Sequence, residues 1–170
     1  MKQVLKVLMW IVILGAVCFG IYLILPEYPH DFVKSFVQPV VNSQAKTRIT
    51  QIQTLNNQDV NANYKDILEK STGMSCWVYE TREEEPGVEY VIYRGNGATI
   101  NIKDVEGYND MLYTSCVIKF EFKISGNNVE IIPYIDGTKI AVENTATSKD
   151  TNDLLKKIII SQLYGVEVKE

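Results

Sequence analysis

The chain has very little of what most catalytic sites are built from. It holds one histidine and three cysteines in 170 residues. The single histidine, His30, has no second imidazole to share a metal ion with, and no serine or cysteine nucleophile can be matched to a histidine base at a known spacing. The glycine-rich nucleotide motifs, the nucleophile-elbow motif and the zinc-protease motif are also missing. We therefore expect no enzyme, no cofactor and no metal ion.

Basic residues are scarce beyond the first 25 positions. The whole chain has 17 basic and 21 acidic residues, and Lys2 and Lys6 account for two of the basic ones, which leaves 15 against 21, or −6. An acidic domain repels a phosphate backbone, so the charge excludes nucleic acid as a probable class of partner. The remaining 145 residues (170 minus 25) are enough for one hydrophobic core.

Charged residues are absent from positions 7–25, which read VLMWIVILGAVCFGIYLIL. Nineteen residues at about 1.5 Å each span roughly 29 Å, close to the hydrocarbon core of a bilayer. We expect residues 1–25 to form an uncleaved single-pass transmembrane anchor. The alternative is a cleaved signal peptide, but its apolar region is usually about 7–15 residues long and ends at a small-x-small site, which is missing here.

The residues that flank this apolar run set its expected orientation. Lys2 and Lys6 precede the run, whereas Glu27 and Asp31 follow it together with a single Lys34. The positive-inside bias then places the N-terminus in the cytoplasm and the following domain on the extracytoplasmic side of the cell membrane.

Residues 26–57 have the pattern of a helical stalk. Asp31 can cap a helix, and Pro39 is expected to kink or restart it. Apolar residues recur at the three-and-four spacing of one helix face, at Phe32, Val33, Phe36, Val37, Val40 and Val41. The extracytoplasmic domain is predicted over 58–170 and starts with a short helix near 61–71.

The apolar period then changes from 3.6 to 2, which indicates strands. The candidates are 75–82, 88–94, 98–103, 112–124, 129–135 and 138–143, separated by turn sequences such as Gly95-Asn96-Gly97 and Asp136-Gly137. Short connections favour an antiparallel meander of about five or six strands. A closing helix over 148–164 would cover the sheet. The predicted fold class is α+β, with an N-terminal transmembrane helix and a helical stalk.

Cys76 and Cys116 are the two cysteines outside the apolar run. Cys116 lies on the apolar side of the strand VIKFEFKI, and Cys76 shares a strand face with Val78, which we expect to point inward. An even pair outside a membrane is a candidate disulfide. Two buried free thiols are the alternative, and the spacing leaves both open.

Four large side chains form a candidate partner surface. If Cys76 and Val78 point inward, Trp77 and Tyr79 point outward, and Ile132 and Tyr134 lie opposite the apolar residues of their own strand. Contiguous aromatic patches mark protein interfaces. The alternative is that a helix covers this face as well, in which case the four residues belong to a second core layer.

The loop DVEGYND, residues 104–110, gathers Asp104, Glu106, Asn109 and Asp110 and has the oxygen-rich look of a calcium loop. The twelve-residue calcium pattern fails, because no glycine stands at its sixth place and no glutamate at its twelfth. We interpret it as a solvated connecting loop.

The layout resembles, in outline, type IV pilin subunits and the bitopic α+β components of bacterial secretion and conjugation channels. The span lacks the pilin start, a glycine followed by Phe-Thr-Leu-x-Glu, and the closing helix 148–164 departs from the channel proteins. No family is assigned. The expected function is a non-enzymatic, membrane-anchored protein that binds a protein partner in a cell-envelope assembly. The alternative is an extracytoplasmic domain that binds or senses a small ligand.

Overall fold

The computed structural model describes residues 2–24, 27–103, 110–139 and 149–165. It confirms the α+β class and an antiparallel sheet. The elements, in chain order, are α1 Lys2–Ile24, α2 Glu27–Val41, α3 Ser43–Gln53, β1 Asn56–Asn57, β2 Ala62–Asn63, α4 Tyr64–Lys70, β3 Ser75–Thr81, β4 Glu89–Ile102, β5 Met111–Ser125, β6 Asn128–Ile135, β7 Thr138–Lys139 and α5 Lys149–Tyr164. The predicted loop 104–110, apart from Asp110, and the end of the last predicted strand lie outside the described residues.

The first helix, α1, contains most of the uncharged run and exposes its described apolar side chains, for example Trp10 and Leu14. Over the residues that the structure describes, no helix is long and apolar enough to qualify as a membrane span.

The main sheet is a five-stranded meander in the order β3-β4-β5-β6-β7, and every neighbouring pair is antiparallel. Glycine in a left-handed conformation occurs at the tips of two connections, at Gly126 between β5 and β6 and at Gly137 between β6 and β7. A separate two-stranded ribbon, β1 with β2, precedes α4. The expected meander is therefore present.

One predicted turn is a bulge. The sequence Gly95-Asn96-Gly97 was expected to separate two strands, but β4 runs through it from Glu89 to Ile102 and its register with β5 shifts on either side of Ala98. Gly97 supplies a positive φ of 82° there. At Gly95 a Cβ atom would lie 2.6 Å from the Tyr93 hydroxyl, so the close approach of that side chain also requires glycine. Both glycines bend a continuous strand and do not end it.

The two faces of the sheet differ in what covers them. The face that we call the helix-covered face carries Trp77, Tyr93, Phe120 and Phe122 and packs with α3, α4 and α5 into the main core. The opposite face, which we call the charged face, holds a second, small core cluster of Val78, Tyr90 and Ile92 among charged residues. At about 25 cal/mol per Å², the large aromatic side chains make the helix-covered face the main source of stability.

Half of the predicted stalk belongs to the domain. The helix that was expected to be interrupted at Pro39 continues to Val41, and the break falls at Asn42, whose side chain accepts a hydrogen bond from the Ala45 N–H at 3.0 Å and so caps α3. In α3, Ala45 and Ile52 are completely buried in the main core. Residues 43–53 are therefore part of the folded domain.

Candidate binding surfaces

Trp77 and Tyr79 do not form an exposed surface, which corrects the sequence prediction. Each is only 6% exposed and belongs to the main core. The ring centroids of Trp77 and Tyr93 are 4.8 Å apart, and Trp77 Nε1 donates a hydrogen bond to Glu69 Oε1 at 2.9 Å. The error came from taking the Val78 face as the inward one, whereas the helices α3, α4 and α5 cover the Trp77 face. The alternative prediction, that Trp77 and Tyr79 belong to a second core layer, describes β3 better, because Val78 is also buried, on the opposite face of the sheet.

The other two predicted surface residues lie on the opposite side of the sheet. The register pairs Trp77 with Tyr93, Phe120 and Pro133 in successive strands, so Ile132 and Tyr134 share the face of Val78. Both are half-buried. Tyr134 donates from its hydroxyl to Glu121 Oε2 at 3.1 Å, and Lys119 Nζ lies 3.9 Å from its ring centroid. The four residues therefore do not make one patch.

Cys76 and Cys116 are free and buried. They lie on strands β3 and β5, which β4 separates, and strands about 4.8 Å apart leave them at least about 10 Å from each other, beyond the reach of a disulfide. They also face opposite sides of the sheet, since Cys76 pairs with Arg94 and Cys116 packs in the main core. Burial raises the pKa of the Cys76 thiol to about 12, so it is not a nucleophile near neutral pH.

A buried carboxylate organises the charged face. Glu121, 4% exposed, accepts hydrogen bonds from Arg82 and Lys119, both at 3.0 Å, as well as the one from Tyr134. Burial acts to raise the pKa of Glu121, but the two cationic donors outweigh it and hold the pKa below its ordinary value. Each charge in this group has an opposite partner, so the arrangement is that of a structural network.

The helix α2 docks on the domain through its polar side. Arg94 Nε donates to Asp31 Oδ2 at 2.7 Å, and both side chains are largely buried. Gln38 Nε2 donates to the Tyr79 carbonyl at 2.5 Å, and the Tyr79 N–H donates to Gln38 Oε1 at 2.7 Å. Asp31 and Gln38 are seven residues apart and therefore lie on the same side of the helix.

The apolar side of α2 points away from the domain. Its members are strongly exposed, with Phe36 at 66% and Val40 at 83%. We call this the outer stripe, made of Val33, Phe36, Val37, Val40 and Val41. At about 100° per residue it is centred roughly 140° from the polar side. A surface helix of a globular protein normally has the reverse orientation, so α2 presents its apolar side to something other than this domain.

A groove of about 350 Å³ runs between α2, α3 and the edge strand β3. Its apolar walls are Phe36, Pro39, Ile49 and Trp77, and polar or small groups complete it, namely Ser35, Lys46, Thr50, Gln53, Ser75 and Cys76. Apolar walls with a few polar groups at the rim are the usual composition of a binding pocket.

The floor of this groove is the free edge of the sheet. Both backbone groups of Tyr79 bond to Gln38, so they point away from β4. Backbone direction alternates along an antiparallel strand, so Trp77 and Ser75 direct their N–H and C=O groups to the same edge. No described strand pairs with this edge, and an unpaired strand edge is a template for pairing with another polypeptide.

Other candidate chemistry is weak. His30 Nδ1 lies 3.8 Å from Asp31 Oδ1, beside the Asp31–Arg94 ion pair. Across the four described ranges no three His, Cys, Asp or Glu residues are close enough together to hold a metal ion. Gln38 and the outward orientation of α2 were not predicted from the sequence. The spacing of Asp31, Ser35, Gln38 and Asn42 would have shown a polar stripe opposite the apolar one.

Comparison of the chain with family models, with curated proteins and with solved structures gives no match.

Proposed function

We propose that this chain is a single-pass, membrane-anchored extracytoplasmic protein that binds a protein partner in a cell-envelope assembly, of a secretion, conjugation or pilus-like kind, and is not an enzyme. The observation that carries the binding role is the groove over the free edge of β3.

The anchor is supported by the nineteen uncharged residues 7–25, most of which lie in the continuous helix α1. The described apolar side chains of α1 are exposed, so they need an environment that the domain does not supply. Lys2 and Lys6 support a cytoplasmic N-terminus, which would leave the domain on the extracytoplasmic side.

The partner we propose is an extended polypeptide segment that adds to β3 beside Gln38. The side chain of Gln38 already makes the donor and acceptor contacts that a neighbouring strand would make with Tyr79. A segment in the groove would continue this pairing at Trp77 and Ser75, with an apolar side chain against Ile49 and Phe36. Lys46 at the rim favours an acidic residue in the segment.

A small ligand is the second candidate, and the observation that favours it is the volume of the groove. About 350 Å³ falls within the range of roughly 300–1,000 Å³ that holds small molecules. Such a ligand would be largely apolar, with a polar or anionic group near Lys46.

The test is crosslinking in native membranes. The full chain is crosslinked briefly, extracted in mild detergent and analysed by mass spectrometry, alongside two variants on exposed positions of α3. Thr50→Arg places a bulky cation in the groove, whereas Thr47→Arg, on another side of the same helix, is the matched control. We expect a stoichiometric set of envelope proteins with the native chain and with the control, and at least about tenfold less with Thr50→Arg, which corresponds to about 1.4 kcal/mol.

Recovery of the chain alone, or only with itself, would contradict the partner role. The groove would then be assigned to a small ligand. Equal recovery with both variants would retain a partner but exclude the groove as its site.

A further inference from the structure

We infer that α2 lies flat on the extracytoplasmic surface of the bilayer, with its outer stripe at the boundary between the head groups and the acyl chains and the domain on its other side. This inference rests on the membrane anchor of the proposed function. It does not depend on the protein partner, and the outer stripe adjoins the groove at Phe36, which belongs to both.

The orientation of α2 on the domain supports this position. Its polar side is fixed by the Arg94–Asp31 ion pair and by the two hydrogen bonds between Gln38 and Tyr79. The outer stripe is thereby held on the opposite side and cannot turn inward without breaking these contacts. An amphipathic helix with one side on a protein and an apolar side outward is suited to a membrane surface.

The position of α2 in the chain places it close to the uncharged run. Glu27, the first residue of α2, comes two residues after Leu25, the last residue of the uncharged run. Two residues reach at most about 7 Å, so α2 begins at the membrane surface if the run crosses the bilayer. The 15-residue helix is about 22 Å long, and the outer stripe begins in its second turn.

The shape and composition of the outer stripe also favour lipid. Its five side chains cover an arc of about 140°, which is wider than the narrow seam of a two-stranded coiled coil. All five are valine or phenylalanine, so none carries a charge that would have to be buried. A wide, uncharged arc is better matched to lipid than to a single partner helix.

The area of the outer stripe is too small for a second copy of the chain to be its occupant. A helix about 22 Å long and 10 Å wide presents a footprint of roughly 220 Å², against about 800 Å² for each partner in a stable protein interface. Contact with lipid needs no such area, because the anchor already holds the helix at the membrane and the second contact is intramolecular.

The experiment uses the full chain in vesicles of zwitterionic phosphatidylcholine that contain a photoactivatable phosphatidylcholine. Zwitterionic lipid avoids repulsion of the acidic domain. After irradiation, lipid adducts are mapped by mass spectrometry. We expect adducts in α1 and, in α2, on the outer stripe. Val40→Glu keeps a good helix former at an exposed position and should lower the α2 adducts at least about fivefold while the α1 adducts remain. Thr47→Glu on α3 is the matched control and should change neither.

The possible outcomes separate this inference from the proposed function. Adducts in α1 but none in 33–41 would overturn the flat position of α2 and leave the anchor in place. Adducts in neither helix would overturn the anchor, and the inference with it. A dimer of the native chain that Val40→Glu dissociates, together with no lipid adducts on α2, would show that the stripe is a dimer interface and would also overturn the inference.

Discussion

The side chain of Gln38 is joined to the backbone of Tyr79 by two hydrogen bonds, one in each direction, and closes part of the free edge of the sheet. A second glutamine makes the same arrangement elsewhere. Gln162 of α5 accepts from the Asn101 N–H at 2.7 Å and donates to its carbonyl at 2.6 Å, where β4 extends beyond β3. In both cases a helical amide takes the place of a missing strand, which protects the edge from pairing with other chains.

Replacement of Gln38 by methionine should release the edge of β3. Methionine has a similar length and helix propensity but leaves the two backbone groups of Tyr79 without their partner. We expect the free energy of unfolding to fall by about 1–3 kcal/mol, measured by urea unfolding of the full chain in mild detergent.

Gln51→Met is the control, because Gln51 is exposed on α3 and bonds only at the surface with Arg48. It should change the free energy of unfolding by less than about 0.5 kcal/mol. Equal effects of the two variants would show that the pairing with Tyr79 contributes no stability.

Trp77→Ala should unfold the domain or bring it close to unfolding. The side chain is buried between Tyr93 and Phe122, and truncation of such a residue typically costs about 3–5 kcal/mol. Thermal unfolding followed by circular dichroism measures the loss. Leu112→Ala, at a position 64% exposed, is the matched truncation and should have little effect. A Trp77→Ala protein as stable as the native chain would return this residue to a surface role.

Glu121→Gln should change how stability depends on pH. Because the pKa of Glu121 is held below its ordinary value of 4.5 in the folded protein, its contribution is fully present above that value. It is lost as the pH falls through the lower pKa of the folded state. We expect the variant to lose about 1–3 kcal/mol at pH 7 and much less at pH ~3, by urea unfolding at both pH values.

Glu130→Gln, at an exposed position on β6, is the control and should leave the acid dependence unchanged. A constant difference between the Glu121→Gln variant and the native chain at both pH values would show that ionisation of Glu121 contributes nothing.

Thiol labelling should find two free cysteines in the domain. In a Cys18→Ser background, Cys76 and Cys116 are buried, and burial raises the pKa of each thiol, so a maleimide should not react with the folded protein within minutes. In denaturant, mass spectrometry should show two labels with or without a reductant. Two labels only after reduction would demonstrate a disulfide.

Much of the fold was predictable because local signals agreed with the tertiary structure. The alternation of Ile118, Phe120 and Phe122 predicted β5, and the glycine turns predicted the meander. The predicted closing helix 148–164 matches α5 within one residue at its start. These elements are fixed by period and by turn residues, which a sequence displays directly.

The orientation of β3 could not be predicted in the same way. Both of its faces carry large apolar side chains, Trp77 and Tyr79 on one and Val78 on the other, so alternation gave no unique inward face. Which face the helices cover is decided by the packing of α3, α4 and α5. These three helices are spread over more than 100 residues of sequence. The disulfide alternative for Cys76 and Cys116 rested on the same orientation of Val78, and the structure shows the other alternative, two buried free thiols.

The groove depended on a contact that a sequence hides. Gln38 and Tyr79 are 41 positions apart, and nothing local marks a glutamine that will pair with a strand. The apolar pattern of α2 was recognised, but periodicity shows only that a helix has an apolar side. It does not show whether the domain or another surface receives that side.

The place of α5 has a consequence for how the protein is made. Leu155, Ile159 and Leu163 are completely buried against elements that are synthesised long before them, and Gln162 bonds the backbone N–H and C=O of Asn101. A growing chain therefore carries a partly uncovered apolar sheet until residue 163 has left the ribosome. The domain cannot mature stepwise from its N-terminus, and premature termination before α5 should yield a product that chaperones or proteases remove.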